Sequence, residues 1–289
     1  MSARLFTLSV LAAGLSVVVG RGADDAKPRW KATGPYFAVV THTTDRTTTT
    51  ATEDTTEKIA GTFVYQVTQA ERKGGGWDIE HVLKRVSGDG TELDAWKKCV
   101  GVAVTLEFDA SMAFQKVGGM DKFVEKFTDG EEMEAAERSV VRDVLTDSLL
   151  NKFGEAYFSL PSDKPRTVTR KGVIAGLLST ETDRVYAMPK AEKTGLLAYR
   201  FAGADKITVA DDQSALPFKI VKLDEKKAAK PTGTVWFDPA LGRPTRVRKS
   251  YSFEIGMTVS AGGQEGEMSL AETSELDIRY VAKMPPDDR

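Results

Sequence analysis

Two stretches, far apart in the chain, alternate apolar and polar residues with a period of two. In the first, Phe63, Tyr65 and Val67 share one face; three glycines at 74–76 follow, and Trp77, Ile79, His81 and Leu83 then share a face opposite Asp78, Glu80 and Lys84. In the second, Val247, Tyr251, Phe253, Ile255, Met257 and Val259 lie opposite Arg246, Arg248, Ser250, Ser252 and Glu254. A period of two places alternate side chains on opposite faces of a strand, so each stretch reads as a half-buried strand of an antiparallel sheet. Strands joined by short glycine turns also exclude a regular β-α-β alternation, whose parallel strands need long crossovers.

Between these stretches the period changes. Residues 120–127 form a short amphipathic segment. Within 131–158, Met133, Ala136, Val140, Val141, Val144, Leu145, Leu149, Phe153, Ala156 and Tyr157 recur at steps of three and four, one stripe of a helix. Asp129, with Glu132 three residues on, matches a capping box. Pro161 and Pro165 exclude any continuation. Strands return after 165, with Leu197, Tyr199 and Phe201 on one parity and Leu270, Leu276, Ile278 and Tyr280 on another. The expectation is therefore an α+β fold: a curved, largely antiparallel sheet, partly open and barrel-like, with a central helical block at about 119–158 packed on one face. A single domain spans 35–282, after a flexible lead-in at 23–34 and before a loose tail at 283–289. Shorter segments read as turns or solvated strand. These are the threonine-rich run 41–56, with ten threonines in sixteen positions, the glycine-bearing 87–94, and the charged 221–230.

The N-terminus reads as an address. Arg4 precedes an apolar run at 5–19, and Gly20 and Gly22 follow. A basic head, an apolar segment of about 15 residues and small residues at the exit form a secretory signal. The cut falls after Gly22 or after Gly20. Removing residues 1–22 takes Arg4 and Arg21 and no acid, so the formal charge moves from −2 to −4. No later segment is apolar over the length a membrane helix requires. The expected location is periplasmic or extracellular, soluble after signal removal.

The chemistry-bearing residues are few. Two histidines and one cysteine leave too few ligands for a histidine- or cysteine-rich metal site, and no cofactor is expected. Cys99 opens an apolar run and reads as a small buried hydrophobe. His81 falls on an apolar strand face and reads as a core residue. There is no nucleophile elbow, phosphate loop, zinc-helix motif or dinucleotide fingerprint. The balance of 40 basic and 42 acidic residues, without a basic run interleaved with aromatics, argues against nucleic acid as a partner.

Three segments carry a resemblance. The glycine–hydrophobe–acid step at 118–121, the LPSDKP segment at 160–165 and the hairpin GTVWFDPALGRP at 233–244 together resemble a family of uncharacterised exported bacterial proteins. The resemblance implies no activity and no site residue. A long curved antiparallel sheet with helices on one side is similar to the lipoprotein-carrier folds. Three readings follow. The first is non-catalytic binding of an apolar small molecule, lipid or lipid-linked partner between sheet and helix, lined by Trp77, Ile79, Leu83, Val141, Leu145, Leu149, Tyr251, Phe253 and Ile255. The second is a structural protein of the cell envelope that binds another envelope protein. The third is an exported hydrolase that works through carboxylates.

Overall fold

A computed structural model describes residues 30–110, 114–129, 133–158, 165–174, 178–210, 213 and 218–286. The leader at 1–22 and the capping glutamate Glu132 lie outside them. In chain order the elements are β1 (Thr33–Thr50), β2 (Asp54–Glu71), β3 (Trp77–Gly88), α1 (Thr91–Lys98), β4 (Ala103–Phe108), β5 (Phe114–Gly118), α2 (Met120–Phe127) and α3 (Ala135–Phe158). There follow β6 (Arg166–Ile174), β7 (Leu178–Tyr186), β8 (Lys190–Ala191), β9 (Leu197–Val209), β10 (Phe218–Lys227), β11 (Thr232–Asp238), β12 (Arg243–Ala261) and β13 (Gln264–Val281). Strand dominates, and the helices number three among the described residues.

All thirteen strands belong to one sheet, ordered β5-β4-β3-β2-β1-β13-β12-β11-β9-β7-β6, with β10 on β12 and β8 on β9. Every pairing is antiparallel. The two ends of the order, β5 and β6, do not pair with each other, so the sheet is open. Its centre is built from the 18- and 19-residue strands β2, β1, β13 and β12. β12 and β13 are joined by Gly262 and Gly263 at φ +60° and +83°, between the paired Ala261 and Gln264. A two-residue hairpin loop of this twist needs positive φ at both positions, which glycine adopts without steric cost.

The threonine-rich run is strand on both sides of a short turn, in keeping with the strand-and-loop reading: residues 41–50 continue β1, paired with β13 on one side and β2 on the other, and β2 begins at Asp54. β-Branched threonine suits an extended chain. Three sequence expectations are corrected. Residues 91–98 form α1 rather than the second half of a turn. Residues 218–227 are strand β10, paired along β12, where a charged turn was expected. Asp129 does not cap a following helix; it sits at φ +58° just beyond the end of α2.

The core lies in two parts. The larger cluster runs across the sheet from β4 through the central strands to β6, and includes α1, α2 and α3. The smaller one gathers Leu178, Ile220, Ala229, Phe253, Ile255, Met257 and Leu270 from β7, β10, β12, β13 and the residues beside them.

Candidate functional site

Strand register explains why the core is divided. On β1 the inward residues run Ala38, Val40, His42, Thr44, Arg46; on β13 they run Ile278, Leu276, Ser274, Glu272, Leu270. On β12 they run Val247, Lys249, Tyr251, Phe253, Ile255. The pairings align these into rungs: His42 with Leu276 and Lys249, Thr44 with Ser274 and Tyr251, and Arg46 with Glu272 and Phe253. Three polar rungs thus cross the inner face between two apolar regions.

Each rung is hydrogen-bonded, as buried polar groups must be if they are not to destabilise the fold. His42 Nε2 lies 2.8 Å from Ser274 Oγ and 3.1 Å from Thr44 Oγ1, and the two hydroxyls are 3.0 Å apart. Arg46 donates through Nε and Nη2, both at 3.0 Å, to Glu272, and the Tyr251 hydroxyl donates to the other Glu272 oxygen at 2.8 Å. Burial, then the positive charges of Lys152, Lys249 and Arg46, push the His42 pKa down to about 3. The imidazole is therefore neutral at physiological pH and a weak base.

Helix α3 supplies the opposite wall. From Val144 onward it is buried nearly all round, including Asp147, Lys152 and Glu155. Phe153 packs edge-on against Tyr65 of β2 at 5.0 Å between ring centres and lies 4.2 Å from the ring of His81 on β3. The Lys152 ammonium sits over Phe63 of β2 at 4.2 Å and over Trp96 of α1 at 3.5 Å. Glu155 accepts from Arg184 Nε of β7 at 3.3 Å and from the Tyr186 hydroxyl, and Lys249 Nζ of β12 stands 3.7 Å away. Lys249 also donates to Asn151 Oδ1 at 3.2 Å. The helix thus touches strands seven places apart in the sheet order, from β3 to β7. At about 4.8 Å per strand a flat sheet would spread them over roughly 34 Å, three times a helix diameter. The sheet must curve around α3 to bring them to it.

A recess of about 20 Å³ lies where α3 meets the polar rungs, room for roughly one water or one carboxylate oxygen. His42, Ser148, Asn151, Lys152, Lys249, Tyr251, Ser274 and Leu276 line it. The lining holds two ammonium groups and no carboxylate. Among the described residues no three His, Cys, Asp or Glu side chains gather to hold a metal ion.

The structure separates the nine residues that the sequence proposed. Ile79, Leu83, Val141, Leu145 and Leu149 lie in the larger cluster, with Trp77 packed against it. Phe253 and Ile255 lie in the smaller one, with Tyr251 packed against it. Tyr251 alone of the nine also lines the recess. The sequence reading missed Lys249, Lys152, His42 and Ser274. Lys249 carried a signal: it shares the parity of Val247 and Tyr251, so it is a charge in the middle of an apolar stripe. The remaining chemistry-bearing residues sit in the core. His81 is fully buried, with Nδ1 3.1 Å from the Ile79 carbonyl and Nε2 3.0 Å from the Tyr157 hydroxyl. The carbonyl can only accept, so Nδ1 carries the proton and the Tyr157 hydroxyl donates to Nε2. Cys99 is fully buried, and burial pushes its thiol up to about 12.

No helix among the described residues is long and apolar enough to cross a membrane. No family model matches the chain, and no curated protein matches it.

Proposed function

We propose that this is an exported, non-catalytic binding protein for an amphiphilic ligand, held on the inner face of the open sheet beside α3. The observation that carries this reading is the polar belt between two apolar regions, with a recess at its centre. Such an arrangement offers a polar group and an apolar chain separate neighbours on one surface, as small-molecule sites commonly do. Tyr251 joins the two. It lines the recess, and its ring stacks parallel to Phe253, 6.3 Å between centres, at the border of the smaller cluster. The helix belongs to this reading as a wall, packed into the sheet's curvature by its C-terminal half.

Binding is favoured over hydrolysis by the electrostatics of His42. A serine nucleophile needs a base that becomes positively charged in the transition state. Ser274 has His42 at 2.8 Å, but burial first, and then the charges of Lys152, Lys249 and Arg46, disfavour that imidazolium. The arrangement suits an incoming negative group better than an outgoing proton.

Export belongs to the same proposal, resting on Arg4, the apolar run at 5–19 and the glycines that follow. Native mass spectrometry of protein purified from the envelope fraction tests both parts. The expected species begins at Ala23 or Arg21 and carries a small apolar mass that leaves on denaturation. A full-length chain refutes export. A processed chain without extra mass, which also fails to take up a long-chain amphiphile in vitro, favours a structural envelope protein instead.

A further inference from the structure

We infer that the outer face of the sheet, opposite α3, is a docking surface for an anionic phospholipid bilayer, held by arginines of β9, β12 and β13 beside the strand ends that carry Leu241 and Met284. The inference goes beyond the ligand reading and does not depend on it, since it uses the other face of the sheet.

Register places the charges. Residues of the parity opposite to the inner rungs face outwards, and the pairings align them into two adjacent rows. One row runs Arg200 of β9, Thr234 of β11, Arg248 of β12 and Asp277 of β13. The next runs Lys190 of β8, Ala198 of β9, Trp236 of β11, Arg246 of β12 and Arg279 of β13. At about 4.8 Å per strand and 3.4 Å per residue, the two rows cover roughly 19 Å by 7 Å. Five cations meet two carboxylates there, Asp277 and the Glu192 that accepts from Trp236 Nε1, a net charge of +3 on a chain whose formal total is −2. Asp277 is shared. Arg246 reaches it at 2.8 Å from Nε and 2.6 Å from Nη2, Arg279 at 3.3 Å and Arg248 at 3.8 Å. One carboxylate offsets one of these three guanidiniums, and Arg200 and Lys190 are exposed. The row beyond Arg200 and Arg248, from Val185 through Ala202, Thr232 and Ser250 to Glu275, holds no cation, so the positive charge is confined.

Apolar neighbours favour a bilayer over a soluble polyanion. Leu241, 43% exposed, sits in the turn between β11 and β12, just past the Trp236–Arg246 pair. Met284, also 43% exposed, follows the end of β13, on the segment that crosses to β3, where Arg85 Nη2 donates to the Pro286 carbonyl at 3.0 Å. Met188, 59% exposed, precedes Lys190 by two residues. Isolated exposed apolar residues are ordinary on protein surfaces. Here three of the six large ones among the described residues border one basic patch. Trp236 lies half-buried within it, with the Arg246 guanidinium 5.8 Å from its ring. Guanidinium forks match phosphate oxygens, and tryptophan and apolar side chains settle at headgroup depth.

Vesicle sedimentation tests the surface, with protein purified from the envelope fraction. The probes are phosphatidylcholine vesicles with and without about 30% phosphatidylglycerol, and heparin as a soluble polyanion. Binding is expected to be about tenfold or more tighter to the anionic vesicles, and to be lost at about 1 M salt, where screening acts within about 3 Å. Arg248→Ser and Arg279→Ser should each weaken it about fivefold, and together about 25-fold. Arg248→Lys should keep most of the binding. Leu241→Ser should weaken vesicle binding and leave its salt dependence unchanged. If the double arginine variant does not fold, as judged by circular dichroism, the dependence on phosphatidylglycerol and on Leu241 still decides. Equal binding to both vesicles, or binding to neither, overturns the inference. Anionic binding that survives the double variant in folded protein overturns this face as the surface. Heparin binding as tight as vesicle binding, with no effect of Leu241→Ser on either, overturns the bilayer as the partner.

Discussion

Glu155 is the residue on which the seating of α3 most depends. Its carboxylate is 1% exposed and faces Arg184, Lys249 and Tyr186, which come from two strands of the sheet. Glu155→Gln keeps the shape of the side chain and removes the charge. Removing one partner of a buried ion pair typically costs about 3–5 kcal/mol, because the other charge is left without compensation. Here the cost falls towards the lower end. Arg184 keeps Asp205, at 2.6 Å from Nη1 and 3.4 Å from Nη2, and Lys249 keeps the Asn151 oxygen. The expected loss is about 3 kcal/mol. For a chain of this size that lowers the unfolding midpoint by roughly 6–12 °C. Urea unfolding followed by circular dichroism measures it, with Arg184→Met and the double variant completing a cycle. Contacting residues should show a coupling of at least about 1 kcal/mol. A loss below about 1 kcal/mol for Glu155→Gln, or substitutions that add without coupling, would show that α3 is not held to β7 by this pair.

Three further predictions follow from burial and protonation. Leu145 is 3% exposed within the larger cluster, so Leu145→Ala should cost about 2–5 kcal/mol in the ligand-free protein by the same unfolding assay; a negligible loss would mean that helix and sheet are not in continuous contact there. Both histidines have folded pKa values lowered to about 3, chiefly by burial, against an ordinary value of 6.5. Below pH 6.5 the unfolded chain therefore binds protons that the folded chain does not, and stability should fall as pH falls towards 3. The fully buried His81 contributes a slope of about 1.4 kcal/mol per pH unit, read from urea midpoints between pH 6 and pH 5; a flat profile there contradicts the assignment of neutral, buried rings. Cys99 should resist a thiol reagent at pH 8 in the folded protein and react fully in denaturant, since it is inaccessible and its thiol stays protonated up to about pH 12. Rapid labelling of the native protein would place it elsewhere.

The parts of this fold that were legible in the sequence are those where one periodicity dominates. β3 and β12 announce their inner faces because mostly apolar residues alternate with mostly polar ones, and α2 matches its amphipathic segment at 120–127. The threonine run was harder. Threonine is apolar enough to line a sheet and polar enough to face water, so composition alone did not separate strand from loop, whereas pairing on both sides did. α1 was hidden by its glycines: Gly88 and Gly90 read as turn residues, and they are, at φ +120° and +125°, but the turn leads into a helix. The polar belt was illegible for a different reason. Thr44, Arg46, Glu272 and Ser274 look like solvent-facing residues of their strands, and only the register across β1 and β13 places them opposite one another and inward. Lys249 is the exception, since its parity was visible.

The helix explains why the ligand is placed beside α3 rather than beneath it. A stripe at steps of three and four describes a helix lying on a surface, with the rest of its circumference in water. The residues of α3 that touch the sheet are not one stripe. At about 100° per residue, Asn151 and Glu155 point within about 40° of each other, towards β12 and β7, Lys152 lies about 100° from Asn151, and Phe153 about 200° from it. Contacts therefore extend over more than half of the helix circumference. A ligand entering between α3 and β2 or β3 would have to part Phe153 from Tyr65 and His81, and Tyr157 from His81. One entering under Glu155 would have to break its contacts with Arg184 and Tyr186. At the recess the helix instead presents Ser148, Asn151 and Lys152, the shortest polar side chain of this wall among them, against a belt that is already polar. An amphiphile that keeps its head there and its chain along Tyr251 and Phe253 leaves each of those contacts intact. That is why Tyr251 and Phe253 are the members of the sequence-derived set retained in the proposed site.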